Sequence, residues 1–151
     1  MANEVPPASL PVGPVRKVIE VSAGLVFRHG KLLITQRPAG GHLAGLWEFP
    51  GGKREAEESF EEALHRELME ELGIEVHVRE LVEFITHDYP EKTVELRFFR
   101  CLWRQHEPQP LGCPAFAWVS LRQLADYEFP AADARLLERL RSRADWWQSS
   151  D

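Results

Sequence analysis

The apolar and polar positions along the chain alternate between two periods. Residues 17–27 and 31–37 are largely β-branched or apolar and are separated by Arg28-His29-Gly30, which predicts a strand, a turn and a second strand. Pro38-Ala39-Gly40-Gly41 ends the second strand, and residues 45–49 lead through Pro50-Gly51 into a polar segment. From Phe60 to Gly73 the period becomes helical. Phe60, Ala63, Leu64, Leu68 and Leu72 fall on one stripe, Ser59 with Glu62 fits a capping box, and Gly73 suits a left-handed C-cap. Residues 74–78 and 81–86 return to strand character and 87–92 form a turn. Residues 93–103 then set Val94, Leu96 and Phe98 inward against Glu95 and Arg97 outward, the alternation of a half-buried antiparallel strand. After a loop at 108–114, residues 115–119 make a last short strand and Ser120 caps a short helix over 121–125. Beyond Pro130, Leu136, Leu137, Leu140 and Ala144 mark a C-terminal helix. Strands around one internal helix, with another helix at the end, predict an α/β protein with a mixed sheet sandwiched between helices.

Composition narrows the partners. The 151 residues fit one domain over 17–147, with a short tail at 148–151 and an extended or disordered arm at 1–16 that holds four of the 11 prolines. A net charge of −6 argues against long nucleic acid, whose phosphates call for a basic surface. No stretch has the length of a membrane span, and no basic and apolar leader opens the chain. Cys101 and Cys113 form no metal-type pair, so a reduced, cytoplasmic protein is expected. Trp146 and Trp147 either seat the last helix or form a subunit contact, so both a monomer and a homodimer stay open.

Candidate chemistry concentrates in residues 51–74, GGKREAEESFEEALHRELMEELGI. Glu67, Glu70 and Glu71 stand at i, i+3 and i+4, which puts three carboxylates on one helix face. Such a set is either a solvated acidic surface or the oxygen donors of a hard divalent cation. Arg66 lies one turn before Glu70 and one after Glu62, within reach of a two-pronged carboxylate pair. The order Gly52, five residues, Glu58, seven residues, Arg66-Glu67-Leu68, one residue, Glu70-Glu71, one residue, Gly73-Ile74 resembles the Nudix box, GX5EX7REUXEEXGU, with every fixed position filled. At average residue usage, chance agreement at one site is on the order of one in 10⁸.

That resemblance implies the Nudix α/β/α sandwich and metal-assisted hydrolysis of a phosphoric anhydride. The Gly51 carbonyl, Glu67, Glu70 and Glu71 would hold Mg²⁺, with Mn²⁺ as a substitute; Arg66 would orient a box carboxylate and Glu58 would stand behind it. Outside the box, QRPAGGHLAGLWEFPGGK, HDYPEK and FPAADARLL resemble the MutT branch, which converts oxidised nucleoside triphosphates such as 8-oxo-dGTP to the monophosphate and pyrophosphate. The partner implied is a small-molecule nucleotide. In that branch the base pocket corresponds here to Arg37, His42, Phe49, Tyr89, Lys92 and Asp133.

Each pocket position has a plainer reading beside the functional one. Phe49 is core or packs on a base face, Arg37 and Lys92 are surface cations or donors to purine O6 and N7, and His42 and Tyr89 are loop residues or pocket walls. Asp133 is a first-turn residue at a helix N-terminus, or it reads the base edge. Ionised, it accepts from both N1-H and N2-H₂ of guanine; cytosine, a donor beside an acceptor, matches it only when protonated. A guanine-type base is therefore expected, with CTP or another nucleoside diphosphate-linked substrate as the alternative. MutT-type enzymes carry a further acid before the last strand, whereas residues 111–115 here hold none. That leaves Glu70, Glu71 or Glu107 to activate water.

Overall fold

A computed structural model describes residues 16–41 and 43–148; His42, residues 1–15 of the arm expected over 1–16 and residues 149–151 of the tail expected over 148–151 lie outside the described residues. The strands are β1 (Lys17–Arg28), β2 (Lys31–Gln36), β3 (Trp47–Glu48), β4 (Gly51–Lys53), β5 (Glu75–Asp88), β6 (Lys92–Gln105) and β7 (Phe116–Val119). The helices are α1 (Phe60–Leu72), α2 (Ala134–Ser142) and α3 (Ala144–Trp147), with 3₁₀ turns at Gln123–Asp126 and Ala131–Asp133. All seven strands share one mixed sheet in the order β3-β2-β1-β6-β5, with β4 also on β1 and β7 also on β2. The long β1–β6 pair is parallel; the other pairs are antiparallel. This is the expected α/β sandwich.

Local chemistry explains the hairpin and α1. His29 and Gly30 both take positive φ, 51° and 78°, and bridge Arg28 to Lys31 as a two-residue turn whose twist matches the flanking strands. At the start of α1 the Ser59 hydroxyl accepts from Glu62 N–H at 3.0 Å while the Glu62 carboxylate accepts from Ser59 N–H at 2.8 Å. Gly73 ends the helix at φ 70°, as the spacing predicts. The stripe Ala63, Leu64, Leu68, Leu72 is fully buried against Val26, Phe99 and Cys101 on one face of the sheet. On the other face Leu25, Phe27 and Phe98 pack with Leu136, Leu140 and the two tryptophans.

Cover on both faces revises the reading of β6. Phe98 and its neighbour Phe99 are both buried, and Arg97 lies between the Phe60 and Phe84 rings, 4.0 and 4.7 Å from their centroids, instead of pointing into water. The two strands expected over 74–78 and 81–86 are one bulged strand that starts at Glu75, with register shifts near Leu81. The break expected at 79–80 is a bulge because Glu80 leaves the ladder to pair with Arg100 at 2.9 Å. β5 also runs on to Asp88, which shortens the turn expected at 87–92 to residues 89–92.

The C-terminal helix is interrupted at Arg143, φ −111° and ψ 71°, so that α3 turns back. Trp147 then meets Phe27 edge-on at 5.2 Å and donates its Nε1–H to Leu140 O at 2.9 Å, which is packing against the sheet. Among the described residues no helix is long and apolar enough to cross a membrane.

Candidate active site

β4 carries the box loop to α1. Gly24 N–H donates to Pro50 O and Arg54 N–H to Glu20 O, both at 2.8 Å, while Ser22 faces Gly52 and Ala23 faces Gly51. Alternation along an antiparallel ladder therefore puts Gly51 at a position where its N–H and C=O point away from β1. Its backbone lies beside the Glu71 carboxylate and draws that group's pKa down. The glycines permit the approach: a Cβ on Gly51 would strike Ser22 O, and one on Gly52 would strike the Glu67 carboxyl group.

Arg66 is the hub of the box. Its Nε and Nη2 hold both Glu58 oxygens at 3.1 and 2.8 Å; Nη2 also reaches Lys53 O, and Nη1 reaches Glu67 at 3.1 Å and Glu70 at 3.3 Å. The two-pronged partner is thus Glu58, not Glu62, which the capping box employs. Held by that guanidinium and by the Glu55 N–H, the Glu58 carboxyl falls to about 2.

The three acids of the helix face differ. Glu70 is exposed, whereas Glu67 and Glu71 are half-buried. Burial raises both, and Glu71, with Glu48 and Glu67 nearby, is pushed up to about 7. The Glu71 Oε1 atom is buried and has no hydrogen-bond partner. Residues 109–112 close over this end of α1, with Leu111 and Gly112 N–H on Glu71 O.

An orphaned carboxylate oxygen beside two more carboxylates and an outward-facing glycine is a hard-donor set, and it fits a divalent cation of the Mg²⁺ type. Among the described residues no three His, Cys, Asp or Glu groups converge on one point. Glu67 and Glu70 instead lean on the Arg66 cation.

A second cluster adjoins Glu71. Glu48 of β3 pairs with Arg37 at 2.7 Å, and burial raises its carboxyl despite that cation. Glu48 also bears on Asp133, which burial and Glu48 push up to about 6 against the pull of His87 and Arg37. Asp133 lies in the first turn of the 3₁₀ segment and at the N-cap of α2, where the helix-start reading puts it, and its side chain makes no capping bond. Tyr89 lies at the β5–β6 turn, edge-on to His87 at 5.0 Å with the Lys92 ammonium 5.5 Å from its ring. Arg37 and His87 thus both bear electrostatically on Asp133, and Tyr89 packs on His87 beside Lys92.

Phe49 departs from this group. It is 6% exposed, stacked on Phe129 at 5.1 Å and edge-on to Phe98, so its reading as core is the one its packing supports. Glu107 pairs with Arg28 at 2.8 Å, about 17 Å along β1 from the residue that faces Gly51. Glu48 and His87 were missed by sequence reasoning. An acid lodged between Trp47 and Phe49 was the available signal for Glu48; His87 gave none, having been assigned to a turn.

Comparison with known proteins agrees with this geometry. The family model described as NUDIX domain matches residues 22–139. The chain belongs to the Nudix family. An 8-oxo-dGTP diphosphatase of Haemophilus influenzae is 39% identical over 128 residues, 83% of this chain and 93% of its own. A CTP pyrophosphohydrolase of Escherichia coli is 42% identical over 127 residues, 81% of this chain and 90% of its own. The solution structure of the Escherichia coli ORF135 protein superposes with a TM-score of 0.67 at 39% identity, covering 87% of this chain and 95% of that one. As a Nudix hydrolase, the protein requires a divalent metal and acts on a small phosphoric anhydride substrate.

Proposed function

We propose that this Nudix hydrolase cleaves nucleoside triphosphates, 8-oxo-dGTP foremost, to the monophosphate and pyrophosphate. The observation that carries the reading is the adjacency of two clusters. The box acids end at Glu71, and Glu48 beside it leads to Arg37 and Asp133, whose polar edges can read a base. A triphosphate can then lay its phosphates on one cluster and its base on the other.

The Gly51 carbonyl, Glu67, Glu70 and Glu71 would hold Mg²⁺, which supplies charge neutralisation of the polyphosphate and a more acidic attacking water. Arg66 orients Glu67 and Glu70 while Glu58 fixes Arg66. Glu70 or Glu71 would accept the proton of the attacking water, since Glu107 is engaged by Arg28. Arg37 and Asp133 orient the base, with Lys92 and Tyr89 at the hairpin edge. Both cysteines are free and buried, in keeping with a cytoplasmic setting.

Asp133 also supports a second reading. A carboxyl near 6 can be protonated close to neutral pH and then matches cytosine, so CTP or a modified dCTP is the alternative substrate. A pyrophosphate-release panel with Mg²⁺ over 8-oxo-dGTP, dGTP, CTP, 5-methyl-dCTP, an ADP-sugar and a diadenosine polyphosphate tests both. A higher kcat/KM for 8-oxo-dGTP supports the first reading; a cytidine preference replaces it with the second; turnover of the ADP-sugar alone defeats both.

A further inference from the structure

Glu83 sits where β5 loses register against β6 between Leu81 and Glu83. The bulge presents two successive residues to the same side: Val82 joins the core beneath α2, and the Glu83 side chain, 7% exposed, faces α2 itself. Two cations one helical turn apart close on that carboxylate, Arg135 Nε on Oε2 at 2.5 Å and Arg139 Nη1 on Oε1 at 3.1 Å. The same side chains donate to strand carbonyls, Arg139 to Val82 O and Arg135 to Phe84 O.

A charge this buried is tolerated only while a cation stays paired with it, and each of the two arginines constrains one of its oxygens. The network therefore fixes how α2 lies along β5. Asp133 is two residues before Arg135, and no capping bond of its own holds its side chain. We propose that the Glu83–Arg135–Arg139 clamp is a positioning device for Asp133, and so a determinant of base specificity remote from the base. The inference rests on reading Asp133 as a base-contacting residue. A clamp that merely attached α2 would lower stability and leave the relative preference for bases untouched.

The test compares kcat/KM for dGTP and CTP in wild type, Glu83→Gln, Arg135→Ala and Asp133→Ala, and in the two doubles with Asp133→Ala. Arg135→Ala still leaves Arg139 on the Glu83 carboxylate, so this variant keeps a compensated charge even if Glu83→Gln fails to fold. The expected result is a shift of the dGTP/CTP ratio by about fivefold toward that of Asp133→Ala, with no further shift in the doubles. An equal loss for both nucleotides, an unchanged ratio, or additive shifts in the doubles would overturn the clamp's role. If wild type cleaves neither nucleotide, the functional reading fails separately. Amide exchange over residues 131–137 then decides for the clamp: faster exchange in Arg135→Ala supports positioning, and unchanged exchange rejects it.

Discussion

Arg66 grips both oxygens of Glu58, eight residues earlier in the chain, and turns its remaining Nη1 toward Glu67 and Glu70. One guanidinium thus ties the loop before α1 to the carboxylates on its exposed side. Lysine cannot reproduce this, because a single ammonium lacks the planar fork that meets two oxygens at once. Arg66→Lys is expected to lower kcat by about 10- to 100-fold, the usual cost of losing a group that orients metal-binding acids. Its thermal midpoint should change far less than kcat, since lysine keeps a cation beside Glu58. Wild-type kcat in a folded Arg66→Lys protein would show that the fork does not set the acids.

Just before β1 begins, Arg16 fills the mouth of the β5–β6 turn. It donates to Tyr89 O at 2.5 Å, Lys92 O at 2.9 Å and Pro90 O at 3.2 Å, with Thr93 and Asp88 side chains alongside. Arg16→Ala removes a charge-assisted tie from a turn that carries Tyr89 and Lys92. Amide exchange over residues 89–93 should accelerate, and KM for the nucleotide should rise about threefold with kcat held within about twofold. Slow exchange retained in Arg16→Ala would mean that the turn is rigid without its plug.

What was legible in the sequence was local. Ser59, Glu62 and Gly73 define α1 through bonds that span a few residues, and the His29-Gly30 turn needs only its two neighbours. The box acids were legible for the same reason, since helical spacing alone puts Glu67, Glu70 and Glu71 on one side. The standing of Glu71 was not. Helical spacing puts it on one face with the exposed Glu70, but its burial comes from residues 109–112 folding over α1 and from Glu48 arriving on β3. Glu48, His87 and Asp133 meet from three distant parts of the chain, and no spacing rule joins them. Phe98 and Phe99 taught the same lesson in the sheet, where helices on both faces erase the alternation that cover on one side produces.

Burial of Glu71 gives the metal-free protein a pH signature. Its folded carboxyl lies near 7, above the ordinary value of 4.5, so between those pH values the folded chain binds the proton more tightly than the unfolded chain. The resulting stability is present below about 4.5 and is lost as pH rises through about 7. In EDTA, wild type should therefore lose thermal midpoint from pH 5 to pH 8 relative to Glu71→Gln, whose amide does not ionise. Added Mg²⁺ should restore wild type at pH 8 and leave Glu71→Gln where it was. Turnover of Glu71→Gln should fall at least about 100-fold. Parallel melting curves for the two proteins across this range would place the Glu71 carboxylate in ordinary solvent, and full turnover would remove it from the metal site.

Asp133 provides a pH test of base reading. Its carboxyl, pushed up to about 6 by burial and Glu48, changes from acceptor to donor and acceptor as pH falls from 7.5 to 5.5. Ionised, it accepts from the two adjacent donors of guanine. Protonated, it gives cytosine N3 a proton to share while still accepting from N4-H₂. The CTP/dGTP ratio of kcat/KM is therefore expected to rise by at least about tenfold over that interval, centred near the Asp133 value. Titrations common to both substrates, including those of the box acids, cancel in the ratio. Asp133→Asn presents a fixed donor and acceptor at every pH, so its ratio should be flat and high. A flat ratio in wild type would mean that the Asp133 carboxylate does not face the pairing edge of the base, and discrimination would then fall to Arg37 and Lys92.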